Sequence, residues 1–160
     1  MTQEQEDKLF AKVVYIVYFA LLLWFVIFKF SLYSFDQIAH NVEMTKLARE
    51  DGYWNVNFIP FDAYKDWYRL GLYDSIIENL AGNIIAFMPM GFLKGCIHDT
   101  KPLWKILLRC FVTILGIETL QLITCLGSFD IDDLTMNTFG CFLGYLCLKL
   151  FIFIYNKIEN

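Results

Sequence analysis

The chain has 160 residues, of which 58% are hydrophobic and 18% aromatic, and its formal net charge at pH 7 is −4. This composition is too apolar for a soluble domain of that length, so it predicts a membrane protein. The acidic balance and the lack of a basic patch in the sequence argue against nucleic acid as a partner.

Four apolar segments reach the length of about 20 residues that a helix needs to cross about 30 Å of hydrocarbon. None of them alternates apolar and polar residues with a period of two, so helices are predicted rather than strands. We therefore expect one all-α membrane domain over residues 1–160, built as a bundle of about four transmembrane helices. The predicted spans are residues 9–28, 75–97, 103–126 and 133–155.

Basic residues in the short connections predict the orientation. They cluster around the connection between the second and third spans, whereas the connection between the third and fourth, residues 127–132, contains none. Short cytoplasmic loops carry the excess of lysine and arginine, so the first of these connections is predicted to be cytoplasmic. Both termini then lie inside, and residues 29–74 lie outside. The basic residues concerned are Lys94, Lys101, Lys105 and Arg109.

The long segment before the second span is rich in aromatic residues. Tyr64, Trp67 and Tyr68 share one face at helical spacing. Amphipathic rings favour the headgroup layer, so short interfacial helices are predicted here. The cations nearest to the outer ends of the spans belong to this segment, and any of them could fold over those ends. They are Lys29, Lys46, Arg49, Lys65 and Arg69.

Three of the predicted spans carry their most polar side chains in the outer half, grouped on one helix face. A carboxylate near a helix centre costs about 3 kcal/mol on insertion scales, so Glu118 is expected to face a polar partner or a water-filled cavity rather than lipid. We therefore predict an acidic, amide-lined site in the outer leaflet. Its predicted ligand-binding residues are Asn79, Asn83, Glu118, Gln121, Asp130, Asp132, Asp133 and Asn137.

These polar residues also have a structural explanation. Amide side chains hydrogen-bond between transmembrane helices, which is worth about 1 kcal/mol per bond. Acidic residues at a helix N-terminus satisfy free backbone N–H groups. One of Asp132 and Asp133 is expected to cap the fourth span in this way, which leaves the other for a ligand.

Glycines and a proline predict how the second and fourth spans pack. Gly91 and Gly95 in the second span, and Gly140 and Gly144 in the fourth, have the spacing that allows close helix approach. Packing within the chain is favoured over a dimer interface. Pro89 removes one helical hydrogen bond and is expected to kink the second span, which would widen the cavity.

The polar residues, the proline and the glycines form one ordered pattern that covers more than half of the chain. It consists of Asn57-Phe58-Ile59-Pro60-Phe61, Asn79-x-x-x-Asn83-x-x-x-Phe87-x-Pro89-x-Gly91-x-Leu93, Glu118-x-x-Gln121 and Phe129-Asp130-Ile131-Asp132-Asp133-x-x-x-Asn137-x-x-Gly140-x-x-x-Gly144. This pattern resembles the VanZ-like family of bacterial membrane proteins. Many relatives carry an arginine directly before the aspartates, where this chain has Ser128.

The resemblance implies a multi-pass protein of a bacterial cell membrane. The family's namesake is associated with resistance to teicoplanin, a glycopeptide antibiotic with a lipid tail, and no settled activity comes with the family. Together with the polar site, the resemblance predicts a protein that engages a membrane lipid, a lipid-linked amphiphile or a lipoglycopeptide antibiotic. Such a protein would modulate teicoplanin susceptibility. No cofactor and no resident metal are predicted.

Two other functions stay open. A membrane-embedded enzyme acting on a lipid headgroup would use Glu118 as a general base, or Glu118 and an aspartate as ligands for Mg²⁺ or Ca²⁺. Neither His40 nor His98 supports catalysis, because both lie in connecting segments.

A small transporter or flippase would use a protonatable Glu118 and the kink at Pro89. Four spans without a repeat would then require a homo-oligomer.

The predicted orientation can be tested by thiol labelling in intact cells. We expect an impermeant reagent to modify a Ser128→Cys variant and to leave a Thr100→Cys variant unmodified, in a background without the native cysteines. The reason is that only position 128 is predicted to face the outside. Labelling of the Thr100→Cys variant alone would place the polar site on the cytoplasmic side.

Overall fold

The computed structural model describes residues 3–27, 35–98 and 102–159. Its helices are α1 (Gln3–Ile27), α2 (Phe35–Glu50), α3 (Asp62–Arg69), α4 (Tyr73–Ile97), α5 (Leu103–Thr124) and α6 (Ile131–Glu159), and its strands are β1 (Val56–Asn57) and β2 (Phe129–Asp130). Four residues used in the predictions above lie outside the described residues. They are Phe28, Lys29, Thr100 and Lys101.

Helices α1, α4, α5 and α6 are long and apolar enough to cross a membrane, which confirms the predicted all-α bundle with four candidate spans. The ends of α1 and α6 reach beyond the predicted spans because polar helix formers such as glutamate and lysine continue both helices past their apolar parts. Helix α5 ends at Thr124, where Cys125 takes the left-handed conformation with φ 60°. The orientation stays a prediction.

Helix α4 is the central element of the bundle. It contacts α1, α3, α5 and α6, and its contact with α6 is the most extensive. The buried core lies between these helices, while large apolar side chains such as Phe10, Leu21 and Trp24 of α1 are exposed on the outward faces, where lipid is expected. Fully buried core residues include Met90, Ile106, Cys110, Ile114 and Cys141.

Glycines bring the backbones of α4 and α6 into direct contact. A Cβ atom on Gly91 would lie 1.8 Å from the carbonyl oxygen of Cys141, and one on Gly144 would lie 1.8 Å from that of Met88. A Cβ atom on Gly140 would also meet a backbone carbonyl of α4. Both glycine motifs therefore lie in the contact between two helices of the same chain.

Helix α4 continues through Pro89 to its end. A proline deprives the carbonyl four residues earlier, here that of Ile85, of its helical donor. The neighbouring carbonyl, of Ala86, accepts a hydrogen bond of 2.6 Å from the Tyr18 hydroxyl of α1. This bond fastens α1 to α4 beside the proline, and the kink stays a prediction.

A segment between α1 and α4, which we call the cover segment (residues 35–69), lies across one end of the bundle. It contains α2, β1 and α3. Strand β1 pairs in parallel with β2, so that Val56 lies opposite Phe129 and Asn57 opposite Asp130. The strands hold the cover segment against the start of α6. Each strand has two residues, which is too short to leave a periodic signal in the sequence.

A methyl group added at Gly91 tests the contact between α4 and α6. The new Cβ atom would overlap a backbone carbonyl, which cannot rotate away, so Gly91→Ala is expected to lower the free energy of unfolding by about 1–3 kcal/mol. Thermal unfolding in detergent micelles, followed by circular dichroism, measures the loss.

Gly82→Ala is the matched control because Gly82 lies in the same helix and a Cβ atom there would meet nothing within 4 Å. It should leave the unfolding temperature unchanged or raise it, since alanine has the higher helix propensity. Equal unfolding temperatures for the two variants would show that the backbones do not touch at Gly91.

Candidate functional site

A cavity of about 580 Å³ lies at the end of the bundle where β1 and β2 pair, and we call it the polar cavity. Helices α4, α5 and α6 supply most of its polar wall, and α1, α2 and α3 add further side chains. All eight residues predicted from the sequence as ligand-binding line it, and they are Asn79, Asn83, Glu118, Gln121, Asp130, Asp132, Asp133 and Asn137. That they bind a ligand stays a prediction.

Glu118 is the one acidic residue of α5, which is a candidate span. Only 2% of its surface is exposed. Its Oε2 atom lies 3.4 Å from the backbone nitrogen of Asp130, which donates to it. Gln121, one turn further along α5, is also buried and packs against Gly127. The polar face of α5 is thus turned into the bundle and toward the start of α6.

The aspartates at the start of α6 hold the neighbouring chain segments in place. Asp130 accepts a bond of 2.8 Å from the amide of Asp132, the geometry of an N-cap, and a bond of 3.1 Å from the Asn57 side chain. Asp132 accepts a bond of 2.8 Å from the amide of Phe61, where α3 begins. The sequence predicts the cap at Asp132 or Asp133 and misses Asp130 in this role.

An amide network connects α3, α4 and α6. The Asn83 side-chain nitrogen donates to Asp133 Oδ1 at 2.5 Å and to Asn79 Oδ1 at 3.3 Å. The Tyr64 hydroxyl donates to the same Asn79 oxygen at 2.7 Å. Two donors therefore converge on one amide oxygen, and one of them also binds a carboxylate.

Asn137 lies one helical turn further along α6 than Asp133 and is 3% exposed. Its Oδ1 atom is buried and has no hydrogen-bond partner among the described residues. A buried acceptor without a donor costs about 1–3 kcal/mol. Asn137 also lines the polar cavity, so this acceptor without a partner belongs to a residue of the cavity wall.

Two aromatic residues of α3 also line the polar cavity, and their predicted place in the headgroup layer stays a prediction. Tyr64 and Trp67 pack edge to face with ring centroids 5.5 Å apart. Tyr68 instead is exposed and packs against Tyr73. Burial, and then the negative charge of nearby aspartates, raises the pKa of Tyr64 to about 12, so its hydroxyl stays a donor at physiological pH.

The cover segment contributes cavity residues that no sequence pattern marks. Asn41 and Thr45 of α2, and Asn55 before β1, line the polar cavity together with Phe25 and Val26 of α1. Polar residues in a loop are ordinary, and apolar residues in a span are ordinary too. Their convergence depends on tertiary contacts that the sequence does not display.

Arg49 supports the cavity wall from outside. Its guanidinium donates to Asn55 Oδ1 at 3.0 and 2.5 Å and to the carbonyl oxygen of Leu122, near the end of α5. Asn55 in turn donates to the carbonyl of Gly127. A cation at the C-terminal end of a helix also interacts favourably with the helix dipole. Arg49 thus joins the cover segment to α5.

None of the cations of the cover segment is among the described residues that line the polar cavity. Lys46 is exposed on α2, and Lys65 donates to the carbonyl of Pro60 at 3.4 Å. Arg69 pairs with Asp66 at 3.1 Å on the surface. These candidate cations therefore do not line the polar cavity, and Lys29 lies outside the described residues.

A metal site receives no support from the part of the chain that the structure describes. No group of three His, Cys, Asp or Glu side chains in residues 3–27, 35–98 and 102–159 is arranged to hold a metal ion. The hypothesis of an enzyme that uses Mg²⁺ or Ca²⁺ thus stays a prediction from the sequence.

Comparisons with known proteins agree with the sequence pattern. The family described as VanZ/LLP1 matches residues 15–153. Protein VanZ from Enterococcus faecium is 27% identical over 146 residues, which make up 90% of this chain and 74% of that protein. No solved structure matches the chain.

Removing the guanidinium of Arg49 tests how the cover segment is held. Arg49→Met keeps a long side chain but loses the donors to Asn55 and Leu122, so residues 51–61 are expected to exchange their amide hydrogens faster. Exchange rates should rise about tenfold, since hydrogen bonds from a charged group are worth about 1.5–3 kcal/mol. Hydrogen exchange read by mass spectrometry in detergent micelles measures this.

Lys46→Met is the matched control, because Lys46 is a cation of the same helix and is exposed. Its variant should exchange like the unaltered protein. Unchanged protection of residues 51–61 in the Arg49→Met variant would mean that the β1 and β2 pairing holds the cover segment without Arg49.

Proposed function

The chain belongs to the VanZ/LLP1 family, and on that premise we propose that it engages an amphiphile in the polar cavity and so modulates susceptibility to teicoplanin. Family membership and the four candidate spans fit a multi-pass membrane protein linked to teicoplanin resistance. The membrane is that of a bacterial cell, and the amphiphile is a membrane lipid, a lipid-linked molecule or the lipoglycopeptide itself.

The observation that carries the proposal is the convergence of polar side chains on one cavity. Polar and ionisable side chains are costly inside a membrane. Where they occur in transmembrane helices, they often mark a functional site. A cavity of about 580 Å³ also falls within the range of about 300–1,000 Å³ that small-molecule sites occupy. Interhelical hydrogen bonding alone does not require a cavity of this size.

The composition of the cavity wall suits an amphiphile. Carboxylates and amides form one part of the wall, whereas Phe25, Val26, Phe87 and Trp67 supply apolar surface elsewhere. A molecule with a polar headgroup and a hydrocarbon tail can therefore contact both parts at once. Teicoplanin and lipid-linked precursors of the cell wall both have this construction.

The predicted orientation supports the same ligand class. With both termini inside, the polar cavity opens in the outer leaflet, where lipid-linked wall precursors and lipidated antibiotics meet the membrane. Thiol labelling at positions 128 and 100 tests this step independently of any ligand.

The burial of Glu118 in a cavity also suits a second function, an enzyme that acts on a lipid headgroup with Glu118 as general base. The two functions differ in what they leave behind. An enzyme, or equally a flippase, would change the lipids or wall intermediates of cells that carry the protein. A protein that only binds its ligand would leave that profile unchanged.

Isosteric removal of charge tests the proposal. Glu118→Gln and Asp133→Asn keep the shape and most hydrogen bonds of the wall, so both variants are expected to reach the membrane at normal levels. Protection against teicoplanin should nevertheless be lost, because the charge that faces the ligand is gone. The measurement is the inhibitory concentration of teicoplanin beside the amount of protein in the membrane, with vancomycin, which lacks a lipid tail, as comparator.

Glu78→Gln is the matched control: Glu78 lies in α4 beside Asn79, is exposed and does not line the polar cavity. This variant should protect as well as the unaltered protein. If Glu118→Gln and Asp133→Asn both gave full protection, the carboxylates would be structural and the proposal would fail.

A further inference from the structure

We infer that the polar cavity recognises a cationic amine, so that the group it selects is the ammonium of an amphiphile. The inference rests on the proposed function and adds the chemistry of the headgroup. It excludes the phosphate or carboxylate of an anionic lipid as the group that enters the cavity.

The charge of the wall is the first observation. Among the described residues that line the polar cavity, four carry carboxylates and none is lysine, arginine or histidine. Carboxylates repel an anionic group and attract a cation. Both interactions are stronger in a cavity with a low dielectric constant than in water. The four are Glu118, Asp130, Asp132 and Asp133.

The direction of the hydrogen bonds in the wall is the second observation. The Tyr64 hydroxyl and the Asn83 side-chain nitrogen donate to oxygens of Asn79 and Asp133, which belong to the same wall. These two donors are thus used within the wall itself. A ligand rich in donors complements such a surface better than a ligand rich in acceptors.

Asn137 gives the third and independent observation. Its buried Oδ1 atom has no donor among the described residues, and an ionised phosphate or carboxylate oxygen carries no proton to donate to it. An ammonium group carries three N–H donors and no acceptor. Placed between Asn137 and the carboxylates of α6, it would supply the missing donor and neutralise charge in one position.

The aromatic side of the cavity fits the same ligand. Tyr64 and Trp67 line it, and the faces of such rings attract ammonium groups. Two amphiphiles offer this chemistry to an outer-leaflet site: an aminophospholipid such as phosphatidylethanolamine, and teicoplanin through a free amine. Each becomes neutral at that nitrogen when it is acetylated, which provides matched pairs for an experiment.

The experiment measures binding of both pairs to the purified full chain in maltoside micelles. One pair is acyl-chain-labelled phosphatidylethanolamine and its N-acetyl derivative, and the other is teicoplanin and N-acetyl teicoplanin. We expect the free amine of at least one pair to bind about tenfold more tightly than its acetylated partner, since a charged hydrogen bond is worth at least that factor. The pair that shows this preference identifies the source of the amine.

Asn137→Leu tests the acceptor, because leucine has nearly the same size and offers no oxygen. The preference for the amine should fall about tenfold, toward equal binding of the two partners. Asn156→Leu, at the exposed far end of α6, is the control and should keep the preference. Should Asn137→Leu fail to fold, Asn137→Asp retains an acceptor and must keep or increase the preference; its loss in that variant would overturn the inference.

Other outcomes separate this inference from the proposed function. Equal binding of amine and acetylated partner, lost in Glu118→Gln, would leave an amphiphile site and overturn the amine. Binding that requires added Ca²⁺ or Mg²⁺ would make a divalent cation the cavity's positive charge and would also overturn it. Failure of all four probes to bind would overturn the amine, whereas the proposed function would still be decided by the teicoplanin susceptibility of the Glu118→Gln and Asp133→Asn variants.

Discussion

Direct backbone contact between α4 and α6 is the constraint on which the rest of the structure depends. Without a hydrophobic driving force between helices in lipid, close packing of small residues provides much of the attraction. Gly91, Gly140 and Gly144 allow that approach. At this separation Asn83 of α4 reaches Asp133 of α6 at 2.5 Å, which sets the position of the amide network and of the polar cavity.

The helices and the polar face of each span could be predicted from the sequence because the membrane permits few alternatives. Apolar length sets the spans, and the cost of a charge in lipid turns Glu118 inward. The cover segment follows no such rule. Pairing of Val56 with Phe129, or of Arg49 with the end of α5, depends on contacts between distant parts of the chain. Three nearby aspartates also fit a cap equally well, so Asp130 could not be singled out in advance.

Two carboxylates of the polar cavity wall also hold the cover segment in place. Asp130 binds Asn57 and caps α6, while Asp132 binds the amide of Phe61 at the start of α3. A ligand that attracts these carboxylates therefore also acts on the cover segment. If the proposed ligand binds these oxygens, its binding and the position of the cover segment are linked through them, with no separate hinge.

The pairing of β1 with β2 has a consequence for the order of assembly. Asn57 and Asp130 lie 73 residues apart, and Asp130 comes directly before α6 in the chain. Until this part of the chain has been synthesised, Asn83 lacks its contact with Asp133, and Glu118 lacks its contact with the backbone amide of Asp130. The polar cavity is thus completed only after residues 129–137 have been made, and a product that stops before them leaves Asn83 and Glu118 in the membrane without these polar partners, at the cost that polar groups carry in lipid.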